Sequence, residues 1–320
     1  MLNILLVTFP FFALVLAGYL AATRRMLPLE AIPGLNGFVL FFALPCMLYR
    51  FGSTTPIAQL LDPSVFGVYL LCGLVMVAFA IVITMNRRIR WNDASLGALV
   101  AAFPNTGFMG VPLLAALLGP QSVGPVIVLI VADMVVISSL CIALSRLDEG
   151  EGHGGQAMLV AGKKALRGVA SNPMPWSILL GAVASAMDFR LPEPVEQTAW
   201  LLADAASPVA LFTIGAVLAR SQIQANHPMP LSDYLPVAFM KLLLHPLLVL
   251  VVGMAAIRLG VPLTPFALTV MVLVAALPSA SNVSLLAERF GADNGRIARI
   301  ILVTTVAAFF TFSGAVALLT

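Results

Sequence analysis

Apolar side chains in this chain run in long stretches broken by short polar connections, without strand-like alternation or a single apolar helix face. A helix needs roughly 20 mostly apolar residues to cross the hydrocarbon core of a bilayer. Ten such stretches can be marked, at approximately 3–22, 31–49, 64–86, 94–118, 122–145, 171–188, 198–219, 234–257, 264–288 and 297–319. All connections are short except 146–170. The pattern therefore predicts an all-α integral membrane protein of ten transmembrane helices, with almost nothing left for a soluble domain. Any binding site must lie between helices.

Composition agrees with lipid as the main solvent: of 320 residues, 61% are hydrophobic and 10% charged, and mean hydropathy is +1.04. The net charge of +3 does not point to nucleic acid, because the basic residues sit at span ends and form no stripe with interleaved aromatics. They report orientation instead. With the N-terminus outside, the inner loops carry Arg24, Arg25, Arg87, Arg88, Arg90, Arg146, Lys163, Lys164, Arg167, Arg220, Arg289, Arg296 and Arg299, against Arg50, Arg190 and Arg258 on the other side. The positive-inside rule then puts both termini outside and the 146–170 loop in the cytoplasm. The first stretch has no charged segment ahead of it and is followed by Arg24 and Arg25, so it reads as an uncleaved helix. Cys46, Cys72 and Cys141 all fall in apolar stretches and read as small core side chains, with no disulfide and no metal site.

Five stretches precede the long loop, so a second copy of the same five would insert upside down, the inverted-repeat plan of many secondary carriers. The expected division is 1–145 as the first repeat, 146–170 as the loop and 171–320 as the second. Pro10 stands eight residues before Gly18 in the first stretch, as Pro173 does before Gly181 in the sixth. The fourth and ninth stretches match better. Ala101-Ala102-Phe103-Pro104 opens one break and Ala275-Ala276-Leu277-Pro278 the other; each is followed by small polar residues, a second apolar half and a closing Gly119 or Gly291.

Proline removes a backbone N–H and clashes with the preceding turn, and Gly107 and Gly110 weaken the fourth stretch further. In hydrocarbon, unwound backbone survives only where protein buries it or it lines a wet cavity. Two matched interruptions point to a binding site, at which restarting half-helices aim N–H groups and positive dipole ends. An anionic guest fits, with Asn105, Thr106, Gly107, Ser279, Ser281 and Asn282 as the residues nearest it and Ser284 alongside. The alternative, that Ser, Thr and Asn merely glue helices or mend a kink, explains one break better than two. The sequon Asn282-Val283-Ser284 lies mid-span and cannot accept a glycan.

Ionisable residues within spans are the other clue. Asp133 lies deepest, Lys241 and His245 share the eighth stretch, and Asp204 and Glu288 lie nearer an interface. Asp133 could take up and release a proton during transport, or pair with Lys241 to lock the scaffold. His245-Pro246 reads as a hydrogen-bonded kink.

Pro104-Asn105-Thr106-Gly107-Phe108-Met109-Gly110-Val111-Pro112 resembles the fourth-helix signature of the auxin efflux carrier family, which includes plant auxin exporters and bacterial carriers of malonate and related acids. Leu44-Pro45, Pro208 to Gly215, Lys241 to Pro246 and Pro278 through Asn282 support the resemblance, which covers nearly the whole chain. It implies two inverted five-helix repeats, a scaffold and a transport domain, and fourth and ninth helices crossed at their prolines: Pro104 or Pro112, and Pro278. It also implies a substrate carboxylate near that crossing, contacted by Asn105 and by Asn282 or its neighbours. The central loop is short beside those of plant members, which makes a small dicarboxylate such as malonate a better expectation than auxin.

The expected function is secondary active transport of small organic anions across a cell membrane, the bacterial inner membrane, by an alternating-access or elevator movement. Protons are the expected coupling ion, with sodium less supported; no cofactor is expected, and a homodimer is left open. A sodium-coupled carrier on the bile-acid symporter fold should cluster Glu, Gln and Asn at the breaks, whereas no carboxylate occurs there before Glu288. An intramembrane enzyme should show a nucleophile with its base or a metal motif, and none of these patterns is present.

Overall fold

The computed structural model describes residues 2–55, 62–147, 173–224 and 229–320. In chain order its helices are α1 (Leu2–Thr23), α2 (Leu29–Thr54), α3 (Pro63–Thr84), α4 (Trp91–Ala102), α5 (Thr106–Leu118), α6 (Pro120–Ser145), α7 (Pro173–Ala186), α8 (Glu193–Gln224), α9 (Leu235–Arg258), α10 (Pro265–Ala275), α11 (Val283–Arg289) and α12 (Asn294–Leu319). Among the described residues the one extended pairing is an isolated antiparallel bridge between Pro104 and Ser279. Among the described residues seven helices, α1, α2, α3, α6, α8, α9 and α12, are long and apolar enough to cross a membrane. The other three apolar stretches differ: the fourth divides into α4 and α5, the ninth into α10 and α11, and the sixth is described as the 14 residues of α7. Most of the loop predicted to be cytoplasmic lies outside the described residues.

Several long helices are not regular α throughout. The π turns Val39–Ala43, Thr106–Gly110 and Met240–Leu244 each end two residues before a proline, Pro45, Pro112 and Pro246. A proline cannot donate to the carbonyl four residues back, and the wider turn lets a later N–H reach it without breaking the helix. A further π turn, Ala132–Ile137, has no proline behind it and carries Asp133.

The chain divides into two compact units, each drawn from both halves of the sequence. Unit 1 comprises Met1–Pro63, Thr106–Val128 and Ala170–Gln224, hence α1, α2, α5, the start of α6, α7 and α8. Two glycine-mediated helix contacts organise it. A Cβ on Gly18 of α1 would strike the carbonyl oxygen of Phe212, three residues before Gly215 of α8, while one on Gly215 would strike that of Val15, three before Gly18. The contact of α7 with α2 repeats this arrangement: Gly181 faces the carbonyl of Tyr49, three before Gly52, and Gly52 faces that of Ile178, three before Gly181. Such close backbone approach is how apolar helices associate without a hydrophobic drive. Arg50 of α2 also pairs with Asp204 of α8 at 2.7 Å and lies over the Trp200 ring, at a site where Asp204 stays largely exposed.

Unit 2 comprises Ser64–Asn105, Leu129–Val169 and Ala225–Thr320, hence α3, α4, the end of α6 and α9 to α12. Every α4 residue from Ala94 to Ala102 is buried, as is nearly all of α10 after Phe266. Arg296, counted from sequence among the inner-loop charges, is instead buried at 2% exposure. Its Nε donates to the Asp233 carbonyl at 2.7 Å and its Nη1 to the Asp93 carbonyl at 2.8 Å. Arginine's planar fork suits two main-chain carbonyls at once, and here it ties the starts of α4, α9 and α12 together. Gly97 leaves room for it, since a Cβ there would come within 2.6 Å of Nη1.

Candidate functional site

The two broken segments meet inside unit 2. α4 stops at Ala102 and α10 at Ala275; Pro104 and Pro278 lie in the non-helical chain that follows each. Asn105 N–H donates to the Pro278 carbonyl at 2.8 Å and Ala280 N–H to the Phe103 carbonyl at 3.0 Å, so the segments run antiparallel past each other as a one-pair ladder.

Each break strands carbonyls at the end of its helix, and side chains satisfy them. Pro104 cannot donate to Val100, and Ser279 Oγ does so instead at 2.9 Å. The Ala275 carbonyl would take the N–H of Ser279 in a continuing helix, but that N–H turns to Thr304 Oγ1 at 3.3 Å. Lys241 Nζ donates to Ala275 at 2.5 Å in its place. Paired in this way, open backbone persists in a water-poor interior where each unsatisfied group would cost several kcal/mol.

A small set of polar groups is left over. In the stretch from Ala276 to Asn282, the N–H groups of Ser281 and Asn282 alone make no hydrogen bond among the described residues, Pro278 having no N–H. Asn105, 2% exposed, and Asn282 each bury an Oδ1 without a partner. Which end of each amide is oxygen is an assignment that a half-turn reverses. Two adjacent main-chain donors at the start of α11, with two side-chain amides in the same pair of breaks, form a donor set of the kind that holds a carboxylate.

The other residues singled out from sequence fall in several places. Ser279 is fully buried and committed to the bridge and to Val100. Thr106 and Gly107 begin α5 in unit 1, where a Cβ on Gly107 would meet nothing within 4 Å. Pro112 sits within the helical run of α5, so of the candidate crossover prolines it is Pro104 and Pro278 that stand at the break. Sequence reasoning missed Thr304 and the fork of Arg296. A hydroxyl in the apolar run of α12 and an arginine near a span end carry no motif by which to recognise them.

Asp133, Tyr69, Lys241 and His245 are all fully buried in unit 2. Tyr69 OH donates to Asp133 Oδ2 at 3.2 Å, and Asp133 Oδ1 has no partner. Lys241 Nζ lies 3.4 Å from His245 Nδ1, and the His245 ring is 6.0 Å from that of Tyr69. Asp133 and Lys241 feel each other's charge but form no ion pair within 4.0 Å. Asp133 and Lys241, read from sequence as either a proton-coupling group or a locking pair, have separate hydrogen-bond partners: the Ala275 carbonyl accepts from the lysine, and Tyr69 donates to the carboxyl.

Comparison with known proteins adds what geometry alone does not. The Membrane transport protein family matches residues 4–316. A protein of Rhizobium meliloti (strain 1021) named "Putative malonate transporter" is 29% identical over 308 residues, 95% of this chain and 92% of its own. "Uncharacterized transporter YfdV" of Escherichia coli (strain K12) is 26% identical over 88% of this chain and 86% of its own. "Auxin efflux carrier component 8" of Arabidopsis thaliana is 22% identical over 66% of this chain and 71% of its own. A match that spans nearly all of a chain rich in apolar helices settles the class: the protein belongs to the Membrane transport protein family, that of the auxin efflux carriers, and is a multi-pass membrane transporter rather than an enzyme.

Proposed function

We propose that the protein is a secondary carrier of small organic anions, mono- or dicarboxylates of about the size of malonate, and that the carboxylate binds at the meeting of the two breaks in unit 2. Asn105 and Asn282 supply side-chain amides, the Ser281 and Asn282 main-chain N–H groups supply fixed donors, and Ser281 Oγ completes the set. Thr106 and Gly107 continue the chain from Asn105. The observation that carries this reading is the leftover set: the Ser281 and Asn282 N–H groups, without a hydrogen bond among the described residues, beside the buried amide oxygens of Asn105 and Asn282, without a partner, in breaks whose Val100 and Ala275 carbonyls are met by Ser279 and Lys241. The donors are neutral, so a carboxylate can be oriented without a buried fixed countercharge and released again.

The same reading takes the architecture as two inverted repeats of five crossings each, within a bacterial inner membrane and with both termini outside. Supporting it, Pro45 stands seven residues before Gly52 and Pro208 seven before Gly215, and the two glycine contacts of unit 1 obey one rule. In that scheme unit 1 is the scaffold and unit 2 carries the acid in a rocking or elevator step. Asp133, in a π turn with no proline to require it, is the group we assign to proton coupling.

Uptake and efflux of labelled mono- and dicarboxylates in proteoliposomes, with proton and sodium gradients imposed separately, tests this function. Specific, saturable flux of a small carboxylate is the expected result. Flux confined to neutral or cationic solutes would overturn it.

A further inference from the structure

Lys241 is among the largest fully buried side chains of the described residues, and no carboxylate lies within 4.0 Å of its ammonium. An unpaired lysine in a bilayer-spanning helix carries a heavy desolvation cost, so its retention asks for a partner of another kind. That partner is the end of α10. Nζ donates to the carbonyl of Ala275, the last α10 residue, at 2.5 Å. This carbonyl has lost its helical donor, because Ser279 N–H is held by Thr304. The C-terminus of an 11-residue helix such as α10 gathers about half an elementary negative charge. Carbonyl ends of half-helices are where secondary carriers seat a mobile cation.

We infer that the Lys241 ammonium is a tethered cation that fills this seat permanently, holding the end of α10 in register at the break, and that removing the side chain opens a seat for a small soluble cation. The inference rests on the crossing being the transport site but names a distinct role within it. Lys241 acts as a positioning residue, through the carbonyl of Ala275 and the break behind it, and need not touch the acid. The groups around it are consistent with a single positive charge: His245 Nδ1 lies 3.4 Å from Nζ, where its tautomer with a bare Nδ1 accepts a second N–H, and Asp133 contributes at longer range. A shorter side chain on the same turn would leave an enclosed space bounded by the Ala275 carbonyl and His245, a place for sodium or a primary alkylammonium.

Two measurements test this. In proteoliposomes, wild-type flux should be unchanged within about twofold when sodium is replaced by potassium or choline, since the seat is filled; a tenfold loss without sodium would overturn the inference. Thermal unfolding of the detergent-solubilised protein is followed in parallel, with n-butylammonium, sodium or tetramethylammonium as probes. Lys241→Ala should unfold at a lower temperature and recover several degrees with millimolar n-butylammonium or sodium but not with the bulkier tetramethylammonium, while the wild type responds to none. A Lys241→Ala protein with wild-type stability, or one that no cation restores, would overturn it. Should that variant fail to accumulate, Lys241→Arg, which keeps a cation on the tether, should accumulate and remain sodium-independent; sodium dependence in it would count against the proposal. Because unfolding needs no transported acid, the result stands apart from the carboxylate-site reading, which the asparagine variants test.

Discussion

Ser279 Oγ lies 2.9 Å from the carbonyl oxygen of Val100, the acceptor that Pro104 leaves without its helical donor. One broken helix thus repairs the other. Ser279→Ala should leave a buried carbonyl unsatisfied and cost about 1–3 kcal/mol. Thermal unfolding in detergent would report it, and Ser279→Thr, which keeps the hydroxyl, should lose less. Equal stability of Ser279→Ala and the wild type would mean that water reaches Val100.

Much of this arrangement is legible in the residues alone. Length and hydropathy mark the seven described helices long enough to cross a membrane, and the paired Ala-Ala-apolar-Pro openings locate both breaks to within a residue or two. Proline is readable because its chemistry is local: it lacks a donor wherever it stands. The repairs are not legible, since Ser279 serves Val100 across 179 positions and Lys241 serves Ala275 across 34. Burial of Arg296 is hidden for the same reason, as its acceptors are main-chain carbonyls that leave no trace in residue identity. Gly18 and Gly181 mark close backbone contacts that become readable only when the facing Gly215 and Gly52 are known.

The glycine contacts of unit 1 predict a pair of like effects. Gly18→Ala and Gly181→Ala each drive a methyl into a facing main-chain carbonyl and should destabilise by about 1–3 kcal/mol or more. Gly67→Ala on α3 meets nothing within 4 Å and should be neutral. Unfolding temperatures of the three variants, compared side by side, check this; tolerance at Gly18 alone would break the correspondence between the two contacts.

Arg296→Lys keeps the charge but loses the fork that reaches the Asp233 and Asp93 carbonyls together. Losing one charge-assisted bond in a buried setting should cost about 1.5–3 kcal/mol. A denaturation series would detect it. Full stability of Arg296→Lys would show that one carbonyl suffices.

Asp133→Asn keeps the size of the side chain and a polar contact for Tyr69 but removes the group able to carry a proton. Flux should persist and its dependence on an imposed pH gradient should flatten. Tyr69→Phe should weaken that dependence without abolishing it. A pH profile unchanged in Asp133→Asn would confine Asp133 to its bond with Tyr69.

The most direct test of a carboxylate held where the breaks meet is uptake of labelled malonate and its homologues by Asn105→Ala and Asn282→Ala, each first shown to be folded by its unfolding temperature. Each truncation removes an amide donor from the acid, and specific uptake should fall by at least about tenfold in either variant. Wild-type uptake by both folded variants would contradict the assignment.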